Sequence, residues 1–280
     1  MRKVALTLGI AFFFATTFTI AHAEVVPGAV LHLDASNNPG HPDGWTNLGT
    51  AGGVVPAGDE TPVLESGAID VPGLGIEYED RQFYTCTKSG QTFGGPEGTN
   101  PELALENWTF EALIKRNGDV LFKEHWVFGF TLEQWGVIAA FLGQARQEGG
   151  ELFTTRPVAH KPHNIHLELE EWTWIAFGSD VDGSVFYQDG ELVDEDGAFI
   201  WQKTAPLKFV CIFCGHYGDP DDAGAGRGRS FNGSFAVVRI YDKVLSQDEI
   251  MQNITAGPTG AAVELASKLA TTWGTVKARY

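Results

Sequence analysis

Apolar and polar residues alternate with a period of two along most of this chain, the periodicity of strands rather than helices. Between Asn107 and Arg116, Trp108, Phe110, Ala112 and Ile114 alternate with Thr109, Glu111, Leu113 and Lys115, which predicts a strand with one apolar face. His163 to Glu170 repeats the pattern, with Ile165, Leu167 and Leu169 inward and His166, Glu168 and Glu170 outward. Trp172 to Phe177 is apolar on both faces, as expected of a central strand covered on each side. Asp182-Gly183 and Asp189-Gly190 are turn dipeptides that bracket Val185-Phe186-Tyr187, and Phe235 to Tyr241 reads as a further strand. Turn signals recur from Gly28 to Gly233 with no long helical pattern between them. The expectation is an all-β fold, an antiparallel sandwich or jelly roll.

Helical spacing appears only near the end. Ser246-Gln247-Asp248-Glu249 is a capping box, so a short helix opens there and runs to about Asn253. Gly257-Pro258-Thr259-Gly260 breaks it. Beyond the break, Ala262, Leu265, Ala266, Leu269, Trp273 and Val276 fall at helical spacing, an appended amphipathic helix over residues 261–280. Such a helix either folds back on the domain or serves as a handle for another protein. At the other end, Arg2 and Lys3 precede an uncharged, mostly apolar run from Val4 to Ile20, followed by Ala21-His22-Ala23. This is the layout of a secretory leader, residues 1–23, cleaved before Glu24. The rival reading, a membrane anchor, meets a run just under the ~20 residues needed to span a bilayer. The expected organisation is leader 1–23, domain 24–256, and linker with terminal helix 257–280. The product is expected outside the cell or on its surface (in the periplasm of a bacterium that exports it no further), with no membrane insertion once the leader is gone.

Charge narrows the partners. Among 280 residues, 19 Lys and Arg face 36 Asp and Glu, a formal charge of −17. Such a surface repels phosphate backbones and anionic headgroups, which argues against nucleic acid and against a polybasic membrane contact. A hydrophobic fraction of 43% is enough for one sizeable core. Three cysteines would enter an oxidising compartment. Cys211 and Cys214 lie in the apolar run Phe209 to Cys214, where residues three apart point to opposite faces. They are awkward partners for each other. Either Cys86 bridges one of them or the thiols are small buried hydrophobes. With no second C-x-x-C, a structural zinc site is not expected.

The ordered strand series resembles a known family. Val30-Leu31-His32-Leu33-Asp34-Ala35-Ser36 and Trp45-Thr46-Asn47-Leu48-Gly49 are similar to the opening of bacterial laminin-G-like jelly-roll domains. Trp108-Thr109-Phe110-Glu111-Ala112 resembles their first long core strand. Trp172 to Phe177, followed by Phe186-Tyr187-Gln188-Asp189-Gly190-Glu191-Leu192-Val193, resembles their central hairpin. Phe231 to Ala236, Val238 to Asp242 and Leu245-Ser246 with Glu249-Ile250 resemble the closing strand and short helix. The set covers about residues 28–255 and implies the concanavalin A-like lectin and glucanase architecture, a fold rather than a function.

Glucanases of this architecture carry Glu-x-Asp-x-Glu or Glu-x-Asp-x-x-Glu on one strand, and this chain has neither. Glu168-Leu169-Glu170-Glu171 comes nearest, without the Asp. No enzymatic activity is therefore expected, a divergent glycoside hydrolase being the alternative. Laminin-G-like and pentraxin-like relatives often hold Ca²⁺ at a loop rim. Gly218 to Gly226 is an acidic, glycine-rich loop in which Asp219, Asp221 and Asp222 offer the hard oxygen ligands calcium takes. Asp180 and Asp182 form a weaker candidate. Zinc on His160, His163 and His166 is disfavoured, because a strand alternates their directions. For sugar recognition, Trp126 and Trp135 sit in apolar runs suited to the core, which leaves Trp201 and Tyr217, with His216 beside Tyr217, as surface candidates. Asn107, Asn232 and Asn253 head glycosylation sequons, Asn107 being the least suited because it opens a core strand. The expected function is a secreted, non-catalytic module that binds extracellular glycan, with Ca²⁺ as the candidate cofactor. The alternative is a module that contacts cell-surface protein and has no sugar site.

Overall fold

The computed structural model describes residues 24–37, 44–58, 60–87, 91, 93–94, 103, 105–118, 125–131, 137–142, 151–156, 159–196, 208–212 and 231–258. The terminal helix expected over 261–280, the leader, Trp135 and Cys214 lie outside them, and for Trp126, His160 and Cys211 only the backbone is described. The strands are β1 (Ala29–Asp34), β2 (Gly44–Thr46), β3 (Val54–Pro56), β4 (Val63–Val71), β5 (Ile76–Cys86), β6 (Trp108–Arg116), β7 (His125–Thr131) and β8 (Val137–Leu142). They continue with β9 (Glu151–Arg156), β10 (Ala159–His166), β11 (Trp172–Ser179), β12 (Ser184–Gln188), β13 (Glu191–Asp196), β14 (Lys208–Ile212) and β15 (Gly233–Tyr241), and α1 (Gln247–Ala256) follows. No described helix is long and apolar enough to cross a membrane.

The strands form two antiparallel layers, the sandwich of jelly-roll type that the alternation predicted. The large sheet has the order β13-β12-β11-β6-β15-β5-β4, with β1 also on β15. The small sheet has the order β10-β9-β8-β7-β14. Between the layers, Phe110, Ala112, Ile114, Phe177 and Phe235 of the large sheet meet Val127, Leu152, Ile165 and Ile212 of the small one. Trp108, Trp172 and Trp174 are core residues, as their strands predicted. Cys86 is buried too, its thiol donating to the Gln91 carbonyl.

A second apolar cluster covers the opposite, outer face of the large sheet, and its cause lies in β15. Residues 233–235 pair with β5, whereas residues 237–241 pair with β1 on the same edge. Beyond Tyr84, therefore, β5 has left β15 and runs on paired with β4 alone. It bends at a bulge that sets Glu79 and Asp80 against Ala68, where Asp80 takes the left-handed conformation, φ 49°. The freed hairpin crosses the outer face, carrying Ile69, Val71, Ile76 and Tyr78 into the cluster. Its tip reaches the far edge of the sheet: a Cβ on Gly73 would stand 2.5 Å from Asp189 in the β12–β13 turn. Helix α1 fills the rest of the roof with Ile250 and Ile254, and Gln247 Nε2 donates to the Gly190 carbonyl at 2.8 Å.

Three expectations are corrected here. The face of β6 bearing Thr109, Glu111 and Leu113 is not solvated; the roof buries it. The strand read over His163–Glu170 ends at His166, and Leu169 is exposed, because the chain turns through Glu170 (φ 63°) to bridge Arg116. The short helix runs past Asn253 to Ala256. It opens with both halves of the capping box in place, and Gly257 closes it at φ 67° with its N–H donating to the Asn253 and Ile254 carbonyls.

The bend in β5 is testable. Asp80→Val is expected to cost about 1–2 kcal/mol in urea unfolding, because a β-branched residue resists the left-handed conformation, whereas Asp80→Gly is expected to hold wild-type stability.

Candidate functional site

Beneath the roof, strand register builds a row of polar residues inside an apolar layer. Arg239 stands directly opposite Glu111, and His32 directly opposite Arg239. Arg239 and Glu111 are both fully buried, with Nη1 donating to Oε1 at 2.9 Å. The other two guanidinium nitrogens donate as well: Nη2 to the Gly257 carbonyl at 2.8 Å and Nε to His32 Nε2 at 3.3 Å. Asn253 of α1 donates from Nδ2 to Glu111 Oε2 and to the Tyr241 hydroxyl. Asn253 Oδ1 accepts from the Val26 N–H at 2.7 Å, and the Tyr241 hydroxyl donates to the Val26 main-chain carbonyl. Tyr78 donates to the Ile254 carbonyl. Burial pushes the Glu111 carboxyl up while the guanidinium pulls against it, and it raises both tyrosines, which stay protonated donors. Burial, reinforced by Arg239, brings His32 from 6.5 down to about 3, so its ring is neutral and free to accept. The network stitches α1 and the segment before β1 onto the sheet. It covers the outer face over the row of Glu111, Arg239 and His32.

Access is different at the rim where β5 and β6 end and β11 and β15 begin. Lys115 places its ammonium 5.4 Å from the Trp172 ring centre and 5.6 Å from that of Phe83, with Glu170 at 3.8 Å. Two residues on, Asn117 takes its backbone hydrogen bond to the Asn232 carbonyl, and its Nδ2 donates to Ser234 Oγ at 2.8 Å. The Asn232 side chain lies against Gly118, where a Cβ would meet its Nδ2 at 2.3 Å. Two buried polar atoms at this end of β6 have no partner: Oδ1 of Asn117 and Nε of Arg116. One is an acceptor and the other a donor. They are two of seven such atoms among the described residues, and a buried polar atom of this kind calls for water or a ligand.

The residues the sequence nominated for ligand and metal, Trp201, His216, Tyr217, Asp219, Asp221 and Asp222, lie outside the described residues. The ends of their connections are described. Residues 197–207 join β13 to β14, and residues 213–232 join β14 to β15. The second connection returns through Asn232, directly onto Asn117.

Other candidates resolve into structural roles. His163 and His166 point to opposite sides. His163 is fully buried, stacked on Phe186 at 3.6 Å and bonded to Asp194 at 2.9 Å, so that it clasps the small sheet to the edge of the large one. His166 is exposed beside Glu168. The Asp180 carboxylate is engaged by the N–H groups of Asp182 and Gly183, a turn rather than a cation cradle. Among the described residues, no group of three or more His, Cys, Asp or Glu is placed to hold a metal. Glu168 and Glu170 are exposed. The order of the sequons changes: Asn107 is exposed, whereas Asn253 is buried with its amide fully engaged, because the helix presents it to the sheet. Sequence reasoning missed Glu111, Arg239, His32 and Asn117. The signal for the first two was the sole acid of Trp108–Arg116 and the sole charge of Gly233–Tyr241, each set among apolar residues of strands that adjoin in the sheet.

A laminin G family model of the Concanavalin A-like lectin/glucanases superfamily matches residues 96–251. No curated protein sequence matches the chain. Among solved structures, it is similar to domain 4 of AbnA, a GH43 extracellular arabinanase from Geobacillus stearothermophilus in complex with arabinotriose, at 16% identity and TM-score 0.49, covering 81% of this chain and 98% of that one. It is similar to Trypanosoma rangeli sialidase in complex with sialic acid at 14% identity and TM-score 0.45, over 77% of this chain and only 36% of the sialidase. It is also similar to the CBM40 of Ruminococcus gnavus IT-sialidase bound to α2,3 sialyllactose, at 13% identity and TM-score 0.45, over 60% of this chain and 94% of that one.

Two outcomes follow from the buried network. Arg239→Met strands the Glu111 carboxylate and is expected to cost about 3–5 kcal/mol in urea unfolding, most of which the double variant Glu111→Leu with Arg239→Met recovers. His32 has a folded pKa below its unfolded one, so the unfolded chain binds the extra proton between pH 6.5 and about 3. In that window acidification removes stability at about 1.4 kcal/mol per pH unit, a slope that His32→Gln should subtract from the stability profile.

Proposed function

Because the chain belongs to the laminin-G-like domains of the Concanavalin A-like lectin/glucanases superfamily, we propose that it is a secreted, non-catalytic module that binds extracellular glycan at the rim where β6 ends. The observation that carries this reading is the buried, unpartnered Oδ1 of Asn117. A sugar presents hydroxyls, each both donor and acceptor, and so can answer this acceptor. α1 and the β4–β5 hairpin cover the middle of the large sheet's outer face, and the rim where β6 ends lies beyond that cover.

Residues nominated from sequence complete the site in this reading. Tyr217 and His216, on the connection that returns through Asn232, would supply stacking surface and polar contacts there, the ordinary equipment of a sugar platform, whereas the connection bearing Trp201 leaves β13 at Asp196, the opposite end of the sheet. Asp219, Asp221 and Asp222 would hold Ca²⁺ with backbone carbonyls of their glycine-rich loop. That loop's chain returns at Asn232, which is bonded to Asn117, so an ion there would stiffen the same rim. Catalysis is left out of the proposal because Glu168 and Glu170, the carboxylates nearest to a glucanase pattern, are exposed, and Glu170 faces Lys115.

Native affinity electrophoresis of the mature chain in gels containing arabinan, xylan, laminarin or mannan tests the reading, with calcium and with chelator. Retention by at least one polysaccharide is expected, weakened about tenfold by Asn117→Ala and abolished by chelation. A tenfold loss corresponds to about 1.4 kcal/mol, the scale of one hydrogen bond. No retention on any of the four, or retention indifferent to Asn117→Ala, overturns the rim as the glycan site. Retention that survives chelation overturns the calcium part alone.

A further inference from the structure

Resting on that reading of the rim, we infer that Glu65, an exposed carboxylate three strands away, fixes which end of the Asn117 amide meets the ligand and so selects ligands that donate a hydrogen bond there. A relay of side chains crosses the large sheet from β6 to β4. Asn117 Nδ2 lies 2.8 Å from Ser234 Oγ, which lies 2.9 Å from Thr85 Oγ1, which lies 2.7 Å from Glu65 Oε2. Thr85 and Ser234 are buried, so the protons of the relay are confined to its own members.

The direction of the relay follows from counting protons. A carboxylate accepts hydrogen bonds and donates none, so the single hydroxyl proton of Thr85 goes to Glu65. Thr85 must then accept from Ser234, and the one proton of Ser234 is thereby committed. Toward Asn117, Ser234 has only a lone pair to offer, and of the two ends of the amide only Nδ2 can meet it. Oδ1 is left as the end of the amide without a partner, the one a ligand entering at the rim would meet. A carboxylate on an edge strand thus sets the polarity of a group on the central strand, through two hydroxyls whose own orientation is otherwise free. A ligand hydroxyl or N–H satisfies Oδ1; a carboxylate, sulfate or ring oxygen placed there is repelled. The class selected is a neutral sugar hydroxyl. Thr85, Ser234 and Glu65 are positioning residues, since they act through Asn117.

Reversing the terminal group tests this. An ammonium donates only, so Glu65→Lys turns Thr85 into an acceptor at its outer side, sends the Thr85 proton to Ser234 and the Ser234 proton to Asn117, and rotates the amide. Glu65→Gln can still accept and is expected to preserve the wild-type direction. Asp70→Lys, a second exposed carboxylate on β4 outside the relay, controls for charge. In ¹⁵N-labelled mature protein, the Asn117 side-chain amide protons are expected to exchange slowly in the wild type, Glu65→Gln and Asp70→Lys, and at least tenfold faster in Glu65→Lys and Ser234→Ala. Slow exchange persisting in Glu65→Lys overturns the relay. In the affinity gels, Glu65→Lys is expected to lose retention about tenfold while Glu65→Gln and Asp70→Lys stay within twofold of the wild type. Unchanged retention of Glu65→Lys despite fast exchange overturns the selectivity. Failure of the wild type to be retained by any polysaccharide overturns the rim reading and the selectivity together, whereas the exchange pattern decides the relay by itself.

Discussion

Two opposite charges buried side by side in a β-sheet constrain everything around them. Neither Glu111 nor Arg239 can be left with an open valence in a medium of low polarity, because an unmet charge there costs several kcal/mol. The guanidinium therefore claims a helix-cap carbonyl, a neutral imidazole and the carboxylate at once. The carboxylate in turn claims the amide of Asn253. Each of these partners belongs to a different piece of chain, and each piece is thereby held against the same strip of sheet. The apolar cover supplied by Ile69, Val71, Ile250 and Ile254 drives the burial, and the polar row selects one arrangement of that cover out of many.

The roof also explains how the domain divides its labour. A two-layer sandwich offers one interior, two outer faces and two rims. Here one outer face is consumed by structure, because β15 changes partners midway and releases the β4–β5 hairpin to lie across it. The inner core is consumed by packing. The small sheet's outer face and the two rims remain; at the rim where β6 ends, Lys115, Arg116 and Asn117 follow one another and the connections from β6 and to β15 converge. An otherwise acidic protein places two of its few cations there.

Much of the fold was legible in the residues. Alternation located β6, a run apolar on both faces located β11, bracketing turn dipeptides located β12, and β15 read as a further strand; the Asp189-Gly190 turn takes left-handed conformations, and Ser246 and Glu249 form the capping box their spacing implies. Periodicity failed where two faces of a strand are both buried but by different means. Glu111 looked like an outward residue because alternation reports polarity, and polarity tracks exposure only until a partner neutralises it. Leu169 failed for the opposite reason: the strand had already ended, so its phase carried no meaning. The rim was legible least. Asn117 is an ordinary turn residue in sequence, and its place depends on hydroxyls from β5 and β15 that lie far from it along the chain.

The contact between Val26 and Asn253 has a consequence for the order of assembly. Residues 227 positions apart close a ring, so the outer layer cannot be completed while the polypeptide is still emerging from the ribosome or threading an export channel. Until the last turn of α1 arrives, Arg239 and Glu111 sit on an unroofed surface and the central strands present a sticky flank to other unfinished copies. A chain built this way closes its outer layer last, and a product lacking its final structured turn would leave both charges and the apolar strip around them uncovered.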